Sequence, residues 1–127
     1  MDWRIAFEAF RQRAPYVPEL AIVLGSGLGQ LAHCPEAQRG VTVPFTDLPG
    51  FPTQTVQGHA GTIIFCELEG RRVLLQAGRF HYYEGHAMAL CTAPMRLYGR
   101  LGVKAVLHTN AAGAVHGGFR VGELMVI

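Results

Sequence analysis

The sequence predicts one α/β domain over residues 1–127, a mixed, twisted β-sheet flanked by helices. Three observations carry that expectation. Short apolar runs, Leu20–Leu24 (LAIVL) and residues 103–108, read as strands covered on both faces. Segments of helical periodicity alternate with them, and a strand–turn–strand pattern near the middle adds an antiparallel hairpin. Half of the residues are hydrophobic and only 16% are charged, which excludes a disordered chain and supplies a buried interior.

The elements follow in order. Trp3, Phe7 and Phe10 recur at helical spacing with Arg4, Glu8 and Arg11 on the other faces, so residues 2–13 read as an amphipathic helix. Pro15 and Pro18 end it. After the strand Leu20–Leu24 comes a glycine loop, and residues 28–33 are expected to open a helix. Residues 40–58 are rich in Pro, Gly and Thr, a loop around one short strand at 41–45. Thr62–Leu68 and residues 72–76 are β-prone runs joined through Glu69-Gly70, the pattern of a hairpin. Residues 86–101 read as a helix kinked at Pro94 and closed by Gly102. A buried strand at 103–108 follows, with His108 as a core histidine, then the small-residue loop TNAAGA. Residues 121–127 (VGELMVI) are expected to form a last strand, whose bareness implies that some of the sheet's covering is supplied elsewhere.

Charge and cysteine content narrow the function classes. A net charge of +2 without a run of Lys or Arg gives no case for nucleic acid or an acidic membrane as partner. Cys34, Cys66 and Cys91 are widely spaced, without a CxxC pair, as expected of reduced thiols in a cytoplasmic protein. The first thirteen residues are broken by charge and do not read as a signal peptide. No histidine pair has ligand spacing, so no metal is expected, and His33, His86 and His116 take no site role.

The chemistry-bearing stretches begin with AIVLGSGLG at 21–29. Gly25 and Gly27 fit the start of a dinucleotide loop, but Gln30 stands at the third glycine position, and a Walker loop would need a Lys before Ser or Thr. What remains is a strand-to-helix turn with bare backbone N–H groups and the Ser26 hydroxyl, suited either to a small oxyanion such as phosphate or to nothing more than a tight turn. Next, residues 78–85 (GRFHYYEG) gather Arg79, His81, Tyr83 and Glu84 between two glycines. Arg79 offers a planar fork for two phosphate oxygens, and His81 offers a further hydrogen bond. Glu84 could orient either of them, and Tyr83 could present a ring and a hydroxyl to a sugar. His59 lies between two glycines in QGHAGT. Thr109-Asn110-Ala111-Ala112-Gly113 falls at the carboxyl end of an expected strand, where open α/β sheets bind ligands and small residues let backbone approach an anion.

Taken in order, IVLGSGLG, GHAGT, GRFHYYEG and HTNAAGAV resemble the N-terminal part of the trimeric purine nucleoside phosphorylase family. The resemblance implies a phosphorylase/hydrolase-like fold, truncated relative to the full family domain. It implies phosphorolysis of purine nucleosides to free base and ribose 1-phosphate in purine salvage, in a cytoplasmic homotrimer. No metal or organic cofactor is implied, and orthophosphate is a co-substrate. Carried over by position, Ser26, His59, Arg79, His81 and the Ala111 backbone N–H are the phosphate ligands, and Tyr83 is the residue that touches the ribose. Glu84 and Asn110 are orienting candidates. The family's purine-reading residues belong to a second half that has no counterpart in these 127 residues. Two alternatives stand beside this. The sister methylthioadenosine phosphorylases share the fold, but the GSGLG spelling weighs against them, and an inactive phosphate-binding or assembly module would need only the loops present here.

Overall fold

The structure, a computed structural model, describes residues 2–52 and 61–127. Helix α1 (Trp3–Arg13) starts at Asp2, whose side chain accepts from the Arg4 amide at 2.9 Å, and buries Ala6, Phe7 and Phe10. Strand β1 (Leu20–Leu24) is followed by a turn, a 3₁₀ segment (Gly29–His33) and a short helix α2 (Pro35–Gln38). Then come β2 (Val41–Pro44), β3 (Thr62–Leu68) and β4 (Arg71–Ala77). Helices α3 (Met88–Cys91) and α4 (Ala93–Leu101) precede β5 (Ala105–His108).

The five strands form one sheet in the order β2-β3-β4-β1-β5. β1 runs parallel to β4 and β5, while β3 pairs antiparallel with β2 and β4, giving the expected mixed sheet. The β3–β4 hairpin turns at Glu69-Gly70, both with positive φ (48° and 73°), the type I′ geometry that matches strand twist. Strand residues alternate between two apolar layers. One face sets Ala21, Ile63, Phe65 and Leu74 against α1 and α4 through Phe10, Leu97 and Tyr98. The other sets Leu24, Ile64, Cys66, Val73 and Leu75 against Ala37 of α2 and Leu31. No described helix is long and apolar enough to cross a membrane.

Four local expectations differ from the structure. Residues 28–33 form a 3₁₀ turn, not the opening of an α-helix, and the α-helical turn is displaced to Pro35, which supplies a preset φ at a first-turn position. Residues 86–101 hold two helices, not one kinked helix. Thr92 (φ −91°, ψ −7°) separates them, and Pro94 lies in the first turn of α4, where its missing N–H costs nothing. β5 is exposed along its length, His108 included: it lies at the edge of the sheet, and among the described residues neither apolar layer extends over its faces. Residues 121–127 form no strand and are exposed throughout.

Candidate active site

The carboxyl ends of the three parallel strands β1, β4 and β5 lie side by side, and each delivers one of the loops singled out from the sequence. After β1 the chain makes a tight turn in which the Leu28 amide donates to the Gly25 carbonyl at 3.1 Å. Gly27 stands third in that turn with φ 88°, the position where a type II turn requires glycine. Ser26 is exposed at the turn's second position.

Thr109 ties this turn to the end of β5. Its Oγ1 accepts from the Gly25 amide at 2.8 Å and donates to the Val23 carbonyl at 2.9 Å, while its own amide donates to that same carbonyl at 3.1 Å. Its carbonyl accepts a hydrogen bond from Nη2 of Arg79, two residues past the end of β4. A Cβ on Gly25 would overlap the Thr109 carbonyl oxygen and come within 2.6 Å of Arg79 Nη2. Gly25 is thus glycine for a stated reason: three loops close upon its α-carbon. The backbone of Asn110 and Ala111 continues from this junction, both residues exposed, with the Asn110 side-chain amide donating to the Ala111 carbonyl at 3.2 Å.

Beyond Arg79 the loop is pegged by Phe80. Its ring is 6% exposed and packs 5.2 Å from Phe45 and 5.6 Å from Phe51, centroid to centroid. A buried ring between Arg79 and His81 fixes where those two polar neighbours leave the chain. His81 then caps a 3₁₀ turn, Tyr82–Glu84, which ends on Gly85 at φ 86°. The Glu84 carboxylate accepts from the His81 amide at 2.8 Å and lies 3.2 Å from His81 Nδ1. It also lies 3.7 Å from His86 Nε2. The His81 amide, before the ring, is what holds the Glu84 carboxyl below its ordinary pKa. Glu84 therefore engages histidines, and Arg79 engages Thr109; the open choice of partner for Glu84 resolves toward His81. The rings of His81 and Tyr83 stack at 4.7 Å with a 22° tilt, and Tyr83 is 80% exposed, so one ring face and the hydroxyl stay accessible.

The structure thus brings together Ser26's turn, Arg79 and the 109–111 backbone, with His81, Tyr83 and Glu84 in the loop that continues from Arg79. His59 lies outside the described residues. Sequence reasoning misses Thr109 and Gly25 as individual site residues. The signal for Thr109 is its place in the TNAAG stretch, but its partners lie more than eighty residues away in sequence. His86, given no role from sequence, sits edge-on to Phe80 at 5.6 Å and shares Glu84 with His81. A cavity of about 400 Å³, lined by Tyr16, Arg39, Phe65 and Cys66, belongs to the β2–β3 side of the sheet, apart from these loops.

Residues 19–127 match the model of the phosphorylase superfamily. The chain belongs to that superfamily. Among its relatives in the superfamily, purine nucleoside phosphorylase 1 of Geobacillus stearothermophilus is 43% identical over 122 residues, which is 96% of this chain and 44% of that protein. Purine nucleoside phosphorylase of Mus musculus is 42% identical over 127 residues, 99% of this chain and 43% of that protein. A crystal structure of a purine nucleoside phosphorylase in complex with ribose-1-phosphate superimposes with a TM-score of 0.84 at 38% identity, over 96% of this chain and 44% of the other. The Schistosoma mansoni purine nucleoside phosphorylase solved with inosine superimposes with a TM-score of 0.81 at 37% identity, over 94% of this chain and 41% of the other. The chain spans less than half the length of these phosphorylase relatives.

Proposed function

We propose that this chain supplies the phosphate-binding part of a purine nucleoside phosphorylase, which transfers a pentosyl group from a purine nucleoside to orthophosphate. The observation that carries the reading is the junction of Gly25, Arg79 and Thr109 at the carboxyl ends of three parallel strands, which holds the Arg79 guanidinium between the exposed Ser26 turn and the exposed 110–111 backbone. Likeness to relatives and solved structures named for that activity supports it further.

In this reading orthophosphate sits between the Ser26 turn and the Ala111 amide. The Arg79 guanidinium keeps one N–H on the Thr109 carbonyl and turns its remaining donors to the phosphate oxygens. Ser26 donates its hydroxyl, and His59 and His81 complete the ligand set. With Nδ1 held toward Glu84, His81 leaves Nε2 for a hydrogen bond with phosphate. Tyr83 lies against the ribose, and Asn110 steadies the Ala111 peptide. A phosphate oxygen forms the new bond to C1′ as the C1′–N bond to the purine breaks. The bond pair leaves with the base, which takes up a proton, and ribose 1-phosphate remains. The sugar carries oxocarbenium-like positive charge at the transition state, and the fixed phosphate charge beneath it lowers that barrier. The reaction needs neither metal nor organic cofactor. A cytoplasmic homotrimer acting in purine salvage completes the proposal.

The test is phosphorolysis of inosine and guanosine by the longest natural polypeptide carrying these residues. Phosphate-dependent release of base, lost in Arg79→Ala and reduced in Ser26→Ala, is the expected result. Phosphate binding without purine binding would point instead to a non-catalytic module. Unchanged turnover in both variants would overturn the site.

A further inference from the structure

Among the described residues Gln76 is the one polar or charged side chain buried in the core, 3% exposed. It lies near the end of β4, paired in register with Val23 on one side and Ile63 on the other. Tyr98 of α4, fully buried, donates its hydroxyl to Gln76 Oε1 at 2.9 Å. Gln76 Nε2 donates in turn to the carbonyl of Gly78 at 2.9 Å. No described buried side-chain nitrogen or oxygen is left without a partner. An amide and a phenol sit where Leu74, Ile63 and Leu97 show that hydrocarbon fits. Desolvating both polar groups is costly unless each bond is made, so the pair needs a use beyond filling space.

The carbonyl they hold belongs to the peptide plane that joins Gly78 to Arg79. Gly78 has φ 88°, a conformation reached through glycine's freedom, and glycine does not by itself hold the next peptide plane in one orientation. Fixing the Gly78 oxygen fixes the Arg79 N–H in the same rigid plane, and with it the direction in which Arg79 leaves β4. Arg79 is then gripped at both ends, at its root by Gln76 through Gly78 and at its tip by the Thr109 carbonyl. We infer that Gln76, braced by Tyr98, is a positioning residue that aims the Arg79 guanidinium at the phosphate. The inference rests on the reading of Arg79 as a phosphate ligand.

The test measures phosphate KM, kcat and Tm in the longest natural polypeptide for Gln76→Met, Tyr98→Phe, the double variant and Arg79→Ala. Gln76→Met is expected to raise the phosphate KM about 5- to 20-fold, the worth of one lost buried hydrogen bond, with kcat at saturating phosphate within about twofold. Tyr98→Phe, which removes one oxygen and keeps the ring, is expected to raise it about two- to fivefold by unbracing the amide. The double variant, apolar at both positions, is expected to regain Tm while the phosphate KM stays raised, because nothing then holds the Gly78 carbonyl. A phosphate KM that recovers with Tm, or one that never moves in Gln76→Met, would overturn the inference. If Gln76→Met does not fold, Tyr98→Phe decides by the same reading. An Arg79→Ala variant of unchanged phosphate KM removes the phosphate reading and this inference together; a raised KM there with none in the Gln76 variant removes this inference alone.

Discussion

The hydroxyl of Thr109 bridges Gly25 and Val23, accepting from one amide at 2.8 Å and donating to the other's carbonyl at 2.9 Å, so β5 and the turn after β1 share one atom as their hinge pin. Thr109→Val keeps the shape and removes both side-chain bonds, leaving the Gly25 amide without its partner while the Val23 carbonyl keeps the backbone amide of residue 109. A loss of about 1–3 kcal/mol in unfolding free energy is expected, read from denaturant midpoints. Phosphate affinity should fall alongside, because the turn bearing Ser26 loosens. Thr109→Ser, which keeps the oxygen, should lie close to the parent in both readings.

Gly25→Ala probes the same junction from the other side. The added methyl meets the Thr109 carbonyl and Arg79 Nη2, and the backbone carbonyl has little room to yield. We expect about 1–3 kcal/mol of destabilisation. Phosphate-dependent activity should drop much further than stability, with the far-UV circular dichroism of the sheet retained. Parent-like phosphate KM in this variant would show that the three loops do not need their observed spacing.

Much of this arrangement is legible in the amino-acid sequence, and what is legible and what is not divide by the range of the forces involved. The hairpin through Glu69-Gly70 and the strand Leu20–Leu24 are written in local periodicity and turn chemistry, and both appear where expected. Pro94 sends the same local signal whether it kinks a helix or begins one; Thr92, two residues earlier at the junction of α3 and α4, decides between them. The burial of β5 cannot be read locally, since an apolar strand is covered only if another element packs on its faces, and among the described residues neither apolar layer reaches β5. At the site, Arg79, His81 and the TNAAG loop announce themselves by residue type. The hold of Thr109 on Gly25, across 84 positions, and of Tyr98 on Gln76, across 22, exist only once the sheet has formed.

The β3–β4 turn carries one residue against its backbone preference. Glu69 has φ 48°, a left-handed conformation that costs an ordinary L-residue about 1–2 kcal/mol. Asn tolerates it, and Asn-Gly is the favoured pair for a type I′ turn. Glu69→Asn is therefore expected to raise stability by about 0.5–1 kcal/mol, seen as a higher Tm, with phosphate KM unchanged. A lower Tm would mean that the Glu69 side chain contributes more than its backbone costs.

Thiol chemistry gives a prediction independent of the site. Burial, followed by the nearby Cys34 and Glu36, pushes the Cys66 thiol up to about 11. At pH 8 only about one molecule in a thousand then carries the thiolate, which is the reactive form. Titration with an aromatic disulfide should modify Cys34 and Cys91, both part-exposed, well before Cys66, which should react at comparable speed only after denaturation. Three equally fast thiols in the folded protein would contradict the burial of Cys66.

Glu84 sets the pH response of the loop between Arg79 and His86. Its carboxylate is held below the ordinary value of 4.5, first by the His81 amide and then by the His81 ring and the charges of His81 and His86. A carboxylate whose folded pKa lies below its unfolded one binds its proton more weakly in the native state. Its stabilising effect is therefore complete above about pH 4.5 and disappears as the pH falls through the lower folded value. A ¹³C-detected titration of the Glu84 carboxyl should show a midpoint below 4.5, and the Tyr83 ring signals, stacked on His81, should shift over the same interval. Glu84→Ala should abolish that shift and release His81 from its cap at every pH. A midpoint at or above the ordinary value would mean that the carboxylate does not hold His81 in solution, and the imidazole would then be free to meet phosphate through either nitrogen.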